Sequence, residues 1–421
     1  MIRFHGPQRP FHADLTVPGD KSLSHRALIL AAMAAGRSMI EGRGTGADIA
    51  STCRLLEQLG ASVEPEAVES PGVVEWSPPS VPLDAGNSGT TIRLLTGALA
   101  ARPFRSTLIG DASLMSRPMQ RLVGPLGKLG ARVSVSTAGT PPVIVDGTPL
   151  YGAPVRVPMA SAQVRTAVAL AALQADGSTV VDSPPGFRDH TERWLTHLGL
   201  GSSLDETRFR IDPGPIPSFR VTLPGDTSSA SFLWAAAALG PGSTVRVRSV
   251  SLNPGRTGFL DVLAAMGAEV EIVPTAAVLG DPVGDVTVTG NRLTGTIIEG
   301  ELTVRTLDEL PLVAVVAAFA AGATTVRDAA ELRTKESDRI AATVGMIRAL
   351  GGAAEPAASG LVVEGTGLTG GVVAADGDHR IAMAAAVAAT RSGSVVVEGF
   401  EVAAVSWPEF EAVLEETWSS P

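Results

Sequence analysis

The chain has 421 residues, 45% of them hydrophobic and 18% charged, which is enough for roughly two to three domains with substantial cores and rules out a small binding module. Its 33 Lys and Arg against 43 Asp and Glu give a net charge of −10, which disfavours nucleic acid and anionic membrane as partners. One cysteine, Cys53, excludes an internal disulfide, a cysteine-based zinc site and an iron–sulfur cluster, and 4% aromatics supply no stacking platform for single strands.

The first residues, MIRFHGPQRP, carry no apolar core of a signal peptide, so a cytoplasmic location is expected. The strongest feature beyond them is repetition. LTVPGDKSLSHRALILAAMAAG, starting at Leu15, returns as VTLPGDTSSASFLWAAAALGPG, starting at Val221, so Pro18 and Pro224 lie about half the chain apart. Each half divides again. A polar start followed by an Ala-rich apolar stretch recurs near Lys21, Ser88, Ser161, Thr227, Asp308 and Asp378. In five of the six, a glycine (Gly36, Gly177, Gly242, Gly322, Gly393) leads from the stretch into a β-branched run. That spacing predicts a helix of about four turns, a glycine stop and a strand. The second unit stops its helix at Arg102-Pro103 instead, and second helices close at Leu59-Gly60, Leu129-Gly130, Leu198-Gly199, Met266-Gly267 and Leu350-Gly351. The predicted unit is helix, strand, helix, strand, three units to a domain, in an α/β fold with a cleft between domains. The longest apolar run, Leu312 to Ala321, is about half of the ~20 residues a membrane span needs.

Helices as apolar as Ile381 to Ala389 are expected to be buried on most sides, which gathers their polar residues at the ends. Taken singly, starts such as Pro18-Gly19-Asp20 and Pro224-Gly225-Asp226 also read as capping chemistry. Taken together, several helix N-termini would make an anion site. The halves differ in charge: Thr227-Ser228 starts one helix where Lys21-Ser22 and Arg26 start its counterpart, and Arg93, Arg117, Arg121, Arg188, Lys335, Arg339 and Arg380 stand at other starts. If they converge, an anionic ligand or acidic neighbours must offset their repulsion. Asp308 and Glu336 are the acid–base candidates, each at a helix start near cations or a proline. His25, His190 and His379 lack the paired spacing of metal ligands and read as structural, as does Cys53 as a buried thiol. GDKS lacks the upstream glycine of a phosphate loop and no GxGxxG follows a strand, so ATP and NAD chemistry are not indicated.

PGDKSLSHRALIL, LDAGNSGTTIRLL, SRPMQRL, ASAQVRTAVALAAL, RDHTERWL, DELPLVAVVAAFAAG, TKESDRI and DHRIAMAAAVA occur in this order from about Leu15 to Pro408. Together they resemble the 5-enolpyruvylshikimate-3-phosphate (EPSP) synthase family, and GDK, SAQ and RDHTE resemble its second sequence class. The resemblance implies an inside-out α/β barrel of two domains with three repeats each. Residues 1–18 plus 223–421 would form one domain and 19–222 the other, with crossovers near 15–20 and 220–226.

It also implies an enzyme, a 3-phosphoshikimate 1-carboxyvinyltransferase, that moves the enolpyruvyl group of phosphoenolpyruvate to the 5-hydroxyl of shikimate 3-phosphate as a monomer, with no cofactor and no metal. Carried over by motif, Lys21, Ser22, Arg26, Ser161, Ala162, Gln163, Arg188, Asp308 and Lys335 would hold shikimate 3-phosphate. Lys21, Gly89, Arg117, Gln163, Arg339 and Arg380 would hold phosphoenolpyruvate. Asp308 would serve as base, Glu336 and Lys21 compete as proton donor to the methylene carbon, and bare Gly89 would leave space for glyphosate. Two positions depart from the pattern: Gly255 stands where threonine is usual, and Val405 where many first-class members carry a lysine. The sister enzyme acting on UDP-N-acetylglucosamine is disfavoured by Lys21-Ser22 in place of Lys-Asn and by TKESDRI; a non-catalytic anion scaffold would not need both Asp308 and Glu336.

Overall fold

The computed structural model describes all residues, 1–421. The chain forms two compact units. The terminal unit comprises Met1–Pro18, Pro224–Ala276 and Pro282–Pro421; the central unit comprises Gly19–Leu223 and Ala277–Asp281. The short turn Ala277–Asp281 belongs with the central unit although the segments on either side of it belong to the terminal one. Its Asp281 is fully buried against His190 Nδ1 and Trp194 Nε1, each 3.0 Å away, which ties the turn to the central unit.

In the central unit the helices Lys21–Met33, Gly89–Leu99 and Ala162–Ala172 are buried along nearly their whole length. Thr227–Leu239, Leu310–Ala317 and His379–Ser392 play the same part in the terminal unit. Strands such as Thr179–Asp182 alternate buried and half-buried residues. Each unit therefore keeps its first helices inside and its sheets around them. Small side chains permit the close helix contacts: a Cβ on Gly97 would lie 2.0 Å from the Ala167 carbonyl oxygen of the neighbouring helix. Dense Ala and Gly content thus sets the distance at which the helix starts meet.

The repeat differs from the expected order by one strand. Pro154–Arg156 runs parallel to Thr179–Asp182, which pairs antiparallel with Arg208–Ile211, itself paired with Gly201–Ser203. In five of the six repeats the second helix therefore leads into a hairpin, not a single strand, and in the sixth it ends the chain. In the third repeat the two hairpin strands have only three and four residues, too brief for a clear alternating pattern. The glycines predicted as stops do lie in the left-handed region, with φ of 99° at Gly36 and 91° at Gly177, a conformation that only glycine adopts without strain.

Two segments exchange places. His12–Leu15, which precedes the Lys21 helix, pairs in parallel with Thr244–Ser251 of the terminal unit. Arg220–Thr222 takes its place beside Ala35–Glu41 in the central unit. Ile2–His5 completes the last sheet, antiparallel to Ser394–Glu398, so the start of the chain closes the repeat at its other end. No helix is long and apolar enough to cross a membrane.

Candidate active site

In the central unit the buried helices bring their N-termini together. Asp20 caps the Lys21 helix by accepting from the Leu23 N–H at 2.9 Å, and Lys21 Nζ lies 3.2 Å from Asp48 Oδ2. Arg26, one turn later, is buried. It donates to Thr191 Oγ1 (2.8 Å), Thr166 Oγ1 (3.0 Å) and the Ser22 carbonyl (3.0 Å). Burial pulls its pKa down to about 10, against acids including Glu192, and half-buried Arg188 lowers it further. Ser22 thus supports Arg26 through its backbone.

Ser88 and Ser161 cap the next two helices, so Gly89 and Ala162 are first helical residues and Gln163 follows on the inner turn. Arg93 Nη1 reaches across the helix pair to Gln163 Oε1 at 2.6 Å, while Gln163 Nε2 donates to Thr90 Oγ1 at 2.9 Å. This clamp fixes the amide of a residue expected to touch both substrates. A side chain on Gly89 would have to shift the guanidinium beside it: a Cβ would sit 2.8 Å from Arg93 Nη1 and 3.4 Å from Arg117 Nη1. Arg117 is buried and donates to Asn87 Oδ1 and Ser113 Oγ. Behind these groups runs a chain of hydroxyls that joins three helices. His25 Nδ1 pairs with Thr52 Oγ1 at 2.8 Å, Thr52 with Thr91 Oγ1 at 2.6 Å, and Thr91 with Ser88 Oγ at 2.6 Å. Burial, then Lys21 and Arg26, push the His25 pKa well below its ordinary value, so the ring stays neutral.

The terminal unit has a second cluster, organised by Arg339, which is 2% exposed. Arg339 Nε donates to Asp378 Oδ2 at 2.8 Å, its Nη2 to Glu336 Oε2 at 2.6 Å, and its Nη1 lies 3.5 Å from Asp308 Oδ1. Asp308 also lies 3.5 Å from Lys335 Nζ. Burial works against the charge of Arg339, but Glu336, Asp378 and Asp308 outweigh it and raise the pKa. Burial likewise works against the Asp378 carboxylate, and Arg339 and His379 outweigh it, holding the acid below its ordinary value. Asp378 also accepts from the Arg380 backbone N–H at 2.9 Å and so caps the last inner helix.

The structure brings Asp308, Lys335, Glu336 and Arg339 into one cluster, with Arg380 beside it. Lys21, Ser22 and Arg26 share one helix start in the central unit, and Gly89, Arg117 and Gln163 gather around Arg93. Sequence reasoning missed the acids between the cations. Asp48, Glu309 and Asp378 are each paired with a residue tens of positions away, and only Asp378 has a sequence signal, as a helix cap. The cations of the terminal cluster therefore do not depend on a ligand for compensation. Cys53 is half-buried, within 3.7 Å of Arg43 Nη1, where the sequence predicts a buried thiol, and burial raises its pKa. Val405 stands in the turn Phe400–Val405 and contributes no charge. Asn253 Oδ1 accepts from the Gly255 N–H at 3.0 Å, which leaves the substitution at Gly255 unexplained. No group of three or more His, Cys, Asp or Glu is placed to hold a metal ion.

Comparison with known proteins agrees with the motif order. The family model described as EPSP synthase (3-phosphoshikimate 1-carboxyvinyltransferase) matches residues 6–414. The chain is 42% identical over 419 residues to a 3-phosphoshikimate 1-carboxyvinyltransferase of Syntrophomonas wolfei, covering 97% of this chain and 98% of the relative. It is 44% identical over 426 residues to one of Roseiflexus castenholzii, covering 98% and 99%. A solved EPSP synthase of Acinetobacter baumannii superposes with a TM-score of 0.86 at 35% identity, covering 99% of this chain and 97% of that one. The two-domain inside-out α/β barrel is the architecture shared with that neighbour. With matched motifs, matched fold and matched length, the chain belongs to the EPSP synthase family.

Proposed function

We propose that this chain transfers the enolpyruvyl group of phosphoenolpyruvate to the 5-hydroxyl of shikimate 3-phosphate and releases phosphate, a step toward the aromatic amino acids. Family membership over nearly the whole chain supports the reaction. The observation that carries the chemistry is Arg339 holding Asp308, Glu336 and Asp378 at once, which sets two half-buried carboxylates, Asp308 and Glu336, beside a buried cation.

The reaction needs a base, an acid and anion donors. Asp308, supported by Lys335, takes the proton of the 5-hydroxyl as its oxygen attacks C2 of phosphoenolpyruvate. Glu336 or Lys21 delivers a proton to C3, so the methylene becomes a methyl group and a tetrahedral phosphate ketal forms. Loss of a proton from that methyl group and cleavage of the C2–phosphate oxygen bond then give the enolpyruvyl ether and free phosphate. Charged and oriented donors supply the stabilisation as negative charge redistributes. Lys21, Ser22, Arg26, Ser161, Ala162, Gln163, Arg188, Asp308 and Lys335 are proposed to hold shikimate 3-phosphate. Lys21, Gly89, Arg117, Gln163, Arg339 and Arg380 are proposed to hold phosphoenolpyruvate, and their chemistry suits anions. A cytoplasmic monomer acting on small molecules, without a cofactor, completes the reading.

The acceptor tests it. With phosphoenolpyruvate held constant, shikimate 3-phosphate is expected to support turnover and UDP-N-acetylglucosamine to support none. Turnover with the sugar nucleotide alone would assign the chain to the sister activity.

A further inference from the structure

The three inner helices of the terminal unit, Thr227–Leu239, Leu310–Ala317 and His379–Ser392, pack on one another, and their starts meet at a single buried acid. Glu309 is 3% exposed. Its Oε1 accepts from Ser228 Oγ and lies 3.1 Å from Arg380 Nη1, while Arg380 Nη1 also donates to Ser228 Oγ. The triangle takes one residue from each helix start. Every side-chain hydrogen bond of Arg380 leaves from Nη1, so the protein grips one corner of the guanidinium and leaves Nε and Nη2 to other partners.

Asp308 and Glu309 are consecutive, yet they serve different arginines. Asp308 faces Arg339 and Lys335, and Glu309 faces Arg380. A short turn of 3-10 helix, Leu307–Glu309, makes this divergence possible by presenting successive side chains about a third of a turn apart.

We propose that Glu309, bridged by Ser228, is a positioning residue that presets Arg380 for the carboxylate or phosphate of phosphoenolpyruvate. This rests on the reading of Arg380 as a ligand of that substrate. An arginine side chain has many rotamers, and one fixed before binding loses less freedom when the anion arrives. The remaining Nε and Nη2 edge is the geometry that takes a planar carboxylate or two phosphate oxygens side by side. Glu309 also supplies a countercharge, without which a buried guanidinium is costly to hold.

The test is steady-state kinetics on the full chain with Glu309→Ala, Glu309→Gln, Ser228→Ala, Arg380→Ala and the Glu309→Ala/Arg380→Ala pair. Glu309→Ala is expected to raise KM for phosphoenolpyruvate about tenfold and to move KM for shikimate 3-phosphate less than about twofold. Glu309→Gln, which keeps an acceptor oxygen, should recover most of that loss. Ser228→Ala should raise the same KM by about threefold, and it carries the test if Glu309→Ala does not fold. The double variant should be no worse than Arg380→Ala, because Glu309 acts through Arg380. Equal shifts in both KM values, or losses that multiply in the double variant, would overturn the positioning role. Arg380→Ala with an unchanged KM for phosphoenolpyruvate would instead remove the underlying reading of Arg380, and the proposal with it.

Discussion

Asp378 holds Arg339 by its side chain, Oδ2 to Nε at 2.8 Å, while its other oxygen accepts the backbone N–H of Arg380 at 2.9 Å. One buried carboxylate therefore sets both arginines expected to meet phosphoenolpyruvate, one by ion pairing and one through the first turn of its helix. Asp378→Asn keeps the cap but removes the charge facing a buried guanidinium, and is expected to destabilise the fold by about 3 kcal/mol in urea unfolding. The acid limb gives the sign. The Asp378 pKa is depressed in the folded state, so its contribution is complete above the unfolded value of about 3.9 and is lost as pH falls toward the folded value. Stability of Asp378→Asn should fall less steeply there than wild type; parallel acid limbs would contradict the pairing.

His25 gives a prediction in a milder range. The ring is held neutral when folded but takes a proton near pH 6.5 when unfolded, so wild type should lose stability as pH falls below about 6.5. His25→Gln keeps a partner for Thr52 and cannot titrate. Between pH 6.5 and 5 the difference between the two proteins should change by about 1 kcal/mol per pH unit, steepening as pH falls. A pH-independent difference would mean that the ring takes up its proton as readily in the folded protein as in the unfolded chain.

Gly89→Ala forces a methyl group against Arg93, whose Nη1 also holds Gln163. KM for phosphoenolpyruvate is expected to rise about tenfold with KM for shikimate 3-phosphate less affected. Wild type, with Gly89 bare, should be inhibited by glyphosate and the variant less so. Full wild-type activity at high glyphosate would contradict the expected sensitivity.

Asp308→Ala removes the proposed base. Turnover should fall by roughly 10²- to 10⁴-fold while the KM for shikimate 3-phosphate changes far less. Unchanged turnover would take Asp308 out of the proton transfer.

What the sequence reveals depends on how local the physics is. Gly36, Gly177 and Gly393 announce helix stops because only glycine is comfortable at their positive φ, and the Ala-rich runs announce buried helices because no polar face is present. The hairpin after the second helix of the third repeat is hidden, since Gly201–Ser203 and Arg208–Ile211 are too short to show a period. Candidate cations were legible as contrasts between the two halves of a repeat, Lys21 against Thr227 above all. Their partners were not: Asp48 lies on a different helix from Lys21, and Glu309 is brought to Arg380 only by packing of three helices. Arg93 shows the same limit, for nothing local ties it to Gln163 across the helix pair.

The most direct measurement of the central claim is inorganic phosphate released by the purified full chain. Phosphate is expected only when phosphoenolpyruvate and shikimate 3-phosphate are both present, in one-to-one amount with the phosphoenolpyruvate consumed. Phosphate from phosphoenolpyruvate alone, or none with both substrates, would contradict enolpyruvyl transfer.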